Sequence, residues 1–380
     1  MLAVSCLAIA ANGQLRQSTA PDPGDNPVRF DQKSNRTPTA RPPTLIPTPD
    51  GPYSVGVISR LLTDPSRTNR YVPTNSSFMV SIWYPAHSRA GVLPSLYVDP
   101  KIAALGPVAC ITGSSKGAHG HALPDVPLAT NESKYPFVIY SHGHQFLRTD
   151  NTRKIENLVS YGFVVLALDH INCYATVFPD GRLFRGLAPS DIDPGAPSIL
   201  LIATNRAGDV RFVLDQAARW NTADPILKGR LDLDHSGIFG LSFGGGTSAA
   251  ACAREARIKA GLSLDGGFYY FPIPAFDRPF LILSGGDNDS FMQQFRDAYR
   301  SLFDRLTHDA YWVHLKDSTH CDFNDTPWFD SPTSTTLIRR ALVQDRCIVS
   351  FFRKYLRDED DHFLDGPPPD FPEVDAFLKK

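Results

Sequence analysis

Gly240-Leu241-Ser242-Phe243-Gly244 is a G-x-S-x-G sequence, preceded by the apolar run Gly237-Ile238-Phe239 and followed by an Ala-rich, helix-like run over 247–257. Strand, tight turn and helix in that order lift a serine hydroxyl clear of a sheet at a helix N-terminus. Glycine is needed at 240 and 244 because a Cβ there would collide with neighbouring strands, and the serine itself is held in a strained conformation. The chemistry expected is nucleophilic attack on an acyl carbon, with Ser242 as nucleophile. A serine hydroxyl is a weak nucleophile at neutral pH and needs a base. His320, in Asp317-Ser318-Thr319-His320-Cys321, follows the apolar run 310–315 and is the candidate base. His314 falls inside that run and reads as a core or face residue, while His308 and His362 lie beside it and in the tail.

Two positions can supply the acid that holds the imidazole tautomer and stabilises the imidazolium. Asp265 ends the run Leu262-Ser263-Leu264, and Asp287 and Asp289 follow the run 279–283. Both strand ends open on the face where ligands bind in parallel sheets. The generic arrangement of such sites would prefer Asp287, and either position could serve geometrically. An oxyanion hole needs two backbone N–H groups. Phe243, directly after the nucleophile, supplies one. His144, in Ser141-His142-Gly143-His144-Gln145, is the candidate for the other, with Gly143 allowing the turn.

Two H-x-H pairs, His142/His144 and His119/His121, raise a rival metal-dependent amidohydrolase reading, with Asp265 and Asp287 as further ligands. That reading leaves the turn around Ser242 without a purpose. A non-catalytic binding protein on the same fold would have lost the serine or the histidine. Gly244-Gly245-Gly246-Thr247-Ser248 lacks the lysine of a phosphate-binding loop, and no dinucleotide fingerprint occurs. No cofactor and no metal is expected.

These residues need elements to position them. The unbroken apolar runs 135–140 and 162–168 read as strands buried on both faces of a parallel sheet. Further strands fall at 78–84, 237–239, 260–264, 279–283 and 310–315. A polar helical stretch lies near 150–161, and helices are expected over 197–220, 291–306 and 335–356. The alternation predicts an α/β fold, a mostly parallel, doubly wound sheet with helices on both faces, in one domain from 51 to 357. The run Leu2–Ala10 resembles a signal-peptide core over residues 1–11, although it lacks a charged start. Residues 12–50, rich in proline, are expected to be a disordered leader and 358–380 a flexible tail. Secretion is the expectation, with a cytoplasmic location if 1–11 is not a signal. Five N-x-[ST] sequons, at Asn35, Asn75, Asn131, Asn288 and Asn324, lean the same way, and Cys321 with Cys347 is a candidate disulfide, although sequence alone does not fix the connectivity.

Among 380 residues, 38 Lys+Arg against 40 Asp+Glu leave a net charge of -2, which argues against a polybasic nucleic-acid binder. No apolar run reaches the roughly 18 residues of a membrane-spanning helix.

The stretches Tyr135–Gly143, Tyr161–Val165, Gly240–Gly245, Leu264-Asp265 and Thr319-His320 resemble the platelet-activating-factor acetylhydrolases of the plasma and type II kind. The resemblance covers most of 51–355. It implies an α/β-hydrolase fold, selects Asp265 over Asp287 as the acid, and maps the oxyanion donors onto Phe243 and His144. It further implies calcium-independent hydrolysis of short or oxidised sn-2 acyl groups of phospholipids, while the leader, sequons and overall style look like those of a secreted fungal or other microbial member. His144 and Gln145 depart from the apolar and small residues usual there. A general carboxylesterase, a polyester or cutinase-like enzyme, and a lactone- or ester-processing biosynthetic hydrolase share this chemistry. The substrate expected is a small-molecule ester or phospholipid. Phe268-Tyr269-Tyr270-Phe271 is placed either in the acyl pocket, at a lipid surface, or in the core.

Overall fold

The computed structural model describes residues 46–68, 75–107, 115–187, 198–286 and 290–380. In chain order the strands are β1 (Ser54–Thr68), β2 (Asn75–Ala86), β3 (Leu123–Pro124), β4 (Tyr135–Ser141), β5 (Val164–Leu168), β6 (Ala175–Val177), β7 (Leu183–Arg185), β8 (Leu231–Leu241), β9 (Ile258–Leu264), β10 (Phe280–Ser284), β11 (Ala310–Leu315) and β12 (Val374–Lys379). The helices are α1 (Pro100–Ala103), α2 (Thr152–Ser160), α3 (Ser198–Ala223), α4 (Phe243–Arg254), α5 (Ser290–Arg305), α6 (Thr326–Asp330) and α7 (Thr335–Arg357). Ten strands form one sheet in the order β12-β11-β10-β9-β8-β4-β5-β2-β1-β3, and β6 pairs with β7 separately.

From β11 to β5 all neighbours in the sheet are parallel, while β1 and β2, β2 and β5, and β11 and β12 pair antiparallel. Alternate residues of β4 go to opposite cores, which explains its unbroken apolar sequence. Phe137 and Ile139 pack in the core shared with α3, α4 and α5, and Val138 and Tyr140 in the core shared with α2 and α7. This is the doubly wound α/β-hydrolase architecture expected. The chain steps from β4 to β5 on one side and then to β8 on the other. The topological switch point therefore lies between the C-terminal ends of β4 and β8, where ligands bind in such sheets.

Three expectations are corrected. The tail is not flexible throughout: Val374–Lys379 is an edge strand on β11, from Tyr311↔Lys379 to Leu315↔Val374. Unpaired backbone groups along β11 recruit it, and Val374, Phe377 and Leu378 pack against the cores on either face. The leader boundary moves inward, because Ile46 is buried against Trp328 and Ala341 and Asp50 N–H donates to Asn157 Oδ1 at 2.9 Å. Residues 1–11 and the leader up to 45 lie outside the described residues. Cys347 is free and buried whereas Cys321 is disulfide-bonded, so the candidate Cys321–Cys347 pair does not form.

The polar stretch near 150–161 is a helix whose nine residues are all buried. Two of its charged side chains are met from distant segments: Arg153 Nε lies 3.1 Å from Asp345 Oδ2 on α7, and Glu156 accepts the His121 and Ala122 N–H groups. Burial lifts Glu156 to about 7, with those two donors opposing the rise. Of the sequons, Asn131 is exposed and Asn324 is fully buried, so Asn324 is closed to glycosylation in the folded chain. Asn35 and Asn288, and the side chain of Asn75, lie outside what is described.

Candidate active site

The turn after β8 behaves as its glycines require. Ser242 sits at φ 57° and ψ -118°, a strained region for a residue with a side chain, immediately before α4. A Cβ on Gly240 would lie 2.4 Å from the Gly244 backbone, and one on Gly244 only 1.9 Å from Ser141 O. The same contact packs the turn against the β4 loop. Gly244→Ala is therefore expected to cost about 3 kcal/mol or more through forced backbone shifts. A thermal melt of the purified variant checks this, and a wild-type midpoint would mean the turn has slack.

Ser242 N–H donates to Leu264 O at 2.8 Å, and Gly267 N–H donates to Ser242 O at 2.8 Å, so the turn is laced to the end of β9. Asp265 follows that strand at φ 44°, with its N–H on Leu283 O at 2.7 Å. Its buried Oδ1 accepts Gly285 N–H at 3.2 Å and Tyr299 O–H at 3.1 Å. Its Oδ2 lies 2.5 Å from His320 Nδ1. With Nδ1–H given to Asp265, the His320 Nε2 lone pair is the free acceptor. Tyr299 comes from α5, and burial together with the Asp265 charge pushes its pKa well up, so it remains a donor. Nothing in the local sequence marks it; only the helical face of α5 packing on Phe268 and on Trp312 of β11 puts it there.

His320 opens a short 3-10 turn, His320–Phe323, whose capping box pairs Thr319 N–H with Asp322 Oδ2 at 2.9 Å and the Asp322 N–H with the Thr319 side chain, while Thr319 O–H also donates to Asp322 Oδ1 at 3.1 Å. Gln344 Nε2 on α7 donates to Asp322 O at 3.1 Å, and Asp325 N–H to Asp150 O at 2.9 Å, anchoring the loop at both ends. The imidazole is about one-third exposed, unlike its carboxylate partner. His314 lies in β11 with Nδ1 2.6 Å from Asp375 Oδ1, away from Asp265. Asp287 and Asp289 lie outside the described residues.

On the β4 loop, Asn172 Nδ2 donates to His144 Nδ1 at 2.9 Å. Burial, assisted by the nearby Arg206, brings the His144 pKa down to about 4, so its ring is neutral near neutral pH. Phe243 stacks on Phe271 at 4.8 Å between ring centroids. Phe268 and Phe271 are packed inward, whereas Tyr269 is largely exposed. Trp328 is buried. Both ring nitrogens of His142 are committed, Nδ1 to Gly143 O and Nε2 to His170 N–H, which leaves neither for a metal. The three groups close enough to share a metal among the described residues are Asp360, His362 and Asp365 at the surface, and include none of the H-x-H histidines.

Fold and site together define an α/β-hydrolase esterase, acting on carboxylic esters. Residues 39–178 match the family model of platelet-activating factor acetylhydrolase, isoform II. The chain is 26% identical over 363 residues to the platelet-activating factor acetylhydrolase of Cavia porcellus, covering 82% of this chain and 78% of that one. Over 136 residues it is 27% identical to a probable 1-alkyl-2-acetylglycerophosphocholine esterase of Arthroderma benhamiae, 35% of this chain and 32% of that one. A ferulic acid esterase from Streptomyces cinnamoneus has a similar structure, with TM-score 0.74 and 25% identity, covering 88% of this chain and 98% of that one. The resemblance to the platelet-activating-factor acetylhydrolases stands on these matches.

Proposed function

We propose that the chain hydrolyses esters through an acyl-enzyme on Ser242, with short sn-2 acyl groups of phospholipids as its substrate class. The observation that carries this is the 2.5 Å contact of Asp265 with His320 beside the strained Ser242 turn. Ser242 Oγ attacks the ester carbon as His320 Nε2 takes its proton, and Asp265 holds the ring. The N–H groups of Phe243 and His144 receive the developing oxyanion. His320 then protonates the leaving alcohol, and water, deprotonated by the same ring, releases the acyl group.

The likeness to platelet-activating factor acetylhydrolases supports the phospholipid. The likeness to a ferulic acid esterase over nearly all of that chain supports a second reading, a water-soluble aryl or alkyl ester. Tyr269, shortly after Asp265, is an exposed residue of that aromatic segment and could face a lipid surface. Export is the reading for the compartment, supported by the disulfide at Cys321. No helix among the described residues is long and apolar enough to cross a membrane.

Hydrolysis of an sn-2-acetyl phospholipid, a simple acetate ester and a methyl ferulate, each with a Ser242→Ala control, separates these readings. The phospholipid is expected to give the highest kcat/KM. Ser242-dependent turnover confined to the soluble esters would keep the mechanism and discard the phospholipid.

A further inference from the structure

Ser141, His170 and Asp209 form a second serine–histidine–carboxylate chain, from the end of β4, the loop after β5, and α3. Ser141 Oγ lies 2.9 Å from His170 Nε2, and His170 Nδ1 lies 2.8 Å from Asp209 Oδ2. Ser141 and His170 are fully buried and Asp209 nearly so, which closes this serine to an ester. Burial and the Arg206 and Arg67 charges keep His170 neutral. Its Nδ1–H therefore goes to Asp209, and Nε2 accepts the Ser141 hydroxyl proton. The Ser141 oxygen accepts from Arg206 Nη1 at 3.4 Å, and Asp209 Oδ1 accepts from Arg67 Nη2 at 2.8 Å. Donation runs one way, from the Arg206 cation to the Asp209 anion.

Arg206 is itself fully buried, and its fork grips backbone. Nη1 donates to His142 O at 2.5 Å, Nη2 to Gly143 O at 2.9 Å, and Nε to Asn172 Oδ1 at 3.0 Å. The Gly143 oxygen also accepts His142 Nδ1–H at 2.5 Å, a tautomer set by His170 N–H on His142 Nε2 at 3.0 Å. Two donors thus occupy both lone pairs of that carbonyl. In a trans peptide the C=O and N–H point in opposite directions, and no peptide among the described residues is cis. Pinning the Gly143 oxygen therefore aims the His144 N–H away from Arg206. The guanidinium also lies 4.9 Å from the Phe243 ring, which ties it to the residue carrying the other amide.

We propose that Arg206 is a positioning residue for acyl transfer. By gripping the His142 and Gly143 carbonyls it holds the His144 N–H toward the oxygen of an ester bound at Ser242. The buried Ser141–His170–Asp209 chain orients the guanidinium and is not a second nucleophilic site. This rests on the reading of Ser242 as nucleophile.

Arg206→Lys keeps the charge but replaces a rigid fork with one ammonium that cannot span both carbonyls. Active sites are titrated with a fluorophosphonate, so that kcat refers to folded enzyme alone. Loss of one aligned oxyanion donor is expected to lower kcat about 100-fold. KM should stay within about threefold, because the donor acts on the transition state rather than on bound ester. The Ki of a trifluoromethyl ketone, which forms an oxyanion on the serine, should rise by the same factor as kcat/KM falls. Ser141→Ala is the milder variant, losing one hydroxyl, and is expected to lose about tenfold in kcat with the same parallel in Ki; it decides the matter if Arg206→Lys does not fold. Wild-type kcat and ketone affinity per titrated site in Ser141→Ala and in any folded Arg206→Lys would overturn the positioning role. Fluorophosphonate on the Ser141 peptide would overturn the assignment of the second chain. Activity surviving in Ser242→Ala would instead sink the nucleophile reading, so the two failures are distinct.

Discussion

Ser242→Gly is expected to abolish turnover and, at the same time, to stabilise the protein. Removing the nucleophile of a serine hydrolase costs on the order of 10⁶-fold in kcat. The stability effect follows from the backbone. Ser242 is held at φ 57° and ψ -118° by Ser242 N–H on Leu264 O and Gly267 N–H on Ser242 O. Strain of this kind is of order 1–3 kcal/mol, and glycine does not carry it. Glycine's greater freedom in the unfolded chain takes back about 0.5–1 kcal/mol. The net gain is about 1 kcal/mol, a rise in melting temperature of roughly 2 °C for a domain of this size. Ser242→Ala loses the same activity but keeps a Cβ in the strained turn, so its melting point should lie below that of the glycine variant. Thermal melts of both proteins beside the ester assay check the pair of effects. A glycine variant no more stable than the alanine variant would remove the strain argument, and an active one would remove the nucleophile.

Asp265→Asn should lower kcat by about 10⁴-fold while leaving the fold intact, and the geometry says why. One carboxylate oxygen of Asp265 already accepts two donors, Gly285 N–H and Tyr299 O–H. In the asparagine variant the amide oxygen must take that side, because an NH₂ group there would face donors. The NH₂ group is then turned on His320 Nδ1, forcing the imidazole to place its proton on Nε2. That tautomer cannot accept the Ser242 proton. Asp287→Asn, made alongside, is expected to change kcat little. The reverse ranking would move the acid to Asp287.

The site was legible in the sequence to different depths, for reasons that differ residue by residue. Ser242 declares itself because its turn obeys local sterics: glycine must stand at 240 and 244 whatever else the chain does. The strands of the parallel sheet are equally plain, since burial on both faces leaves no polar position in a run such as 135–140. His320 follows from its place at the end of such a strand.

Long-range pairing decided the rest. The residues alone left Asp265 and Asp287 open as acid; family resemblance favoured Asp265, and the packing of α5 and the β10 loop around its carboxylate brings it to His320. The tail became an edge strand because β11 offers an unpaired ladder that lies 60 residues from it in sequence. Residues 150–161 look like a solvated helix until Asp345, from α7, meets Arg153 in the interior. The pairing of Cys321 and the grip of Arg206 on the His142 and Gly143 carbonyls have no local signature either. Sequence by itself determined what backbone sterics and apolar continuity govern, the tight turn at Ser242 and the layered sheet. Only the tertiary structure decided which buried charges and carbonyls meet, because a desolvated polar group takes its partner from wherever the fold brings one within reach.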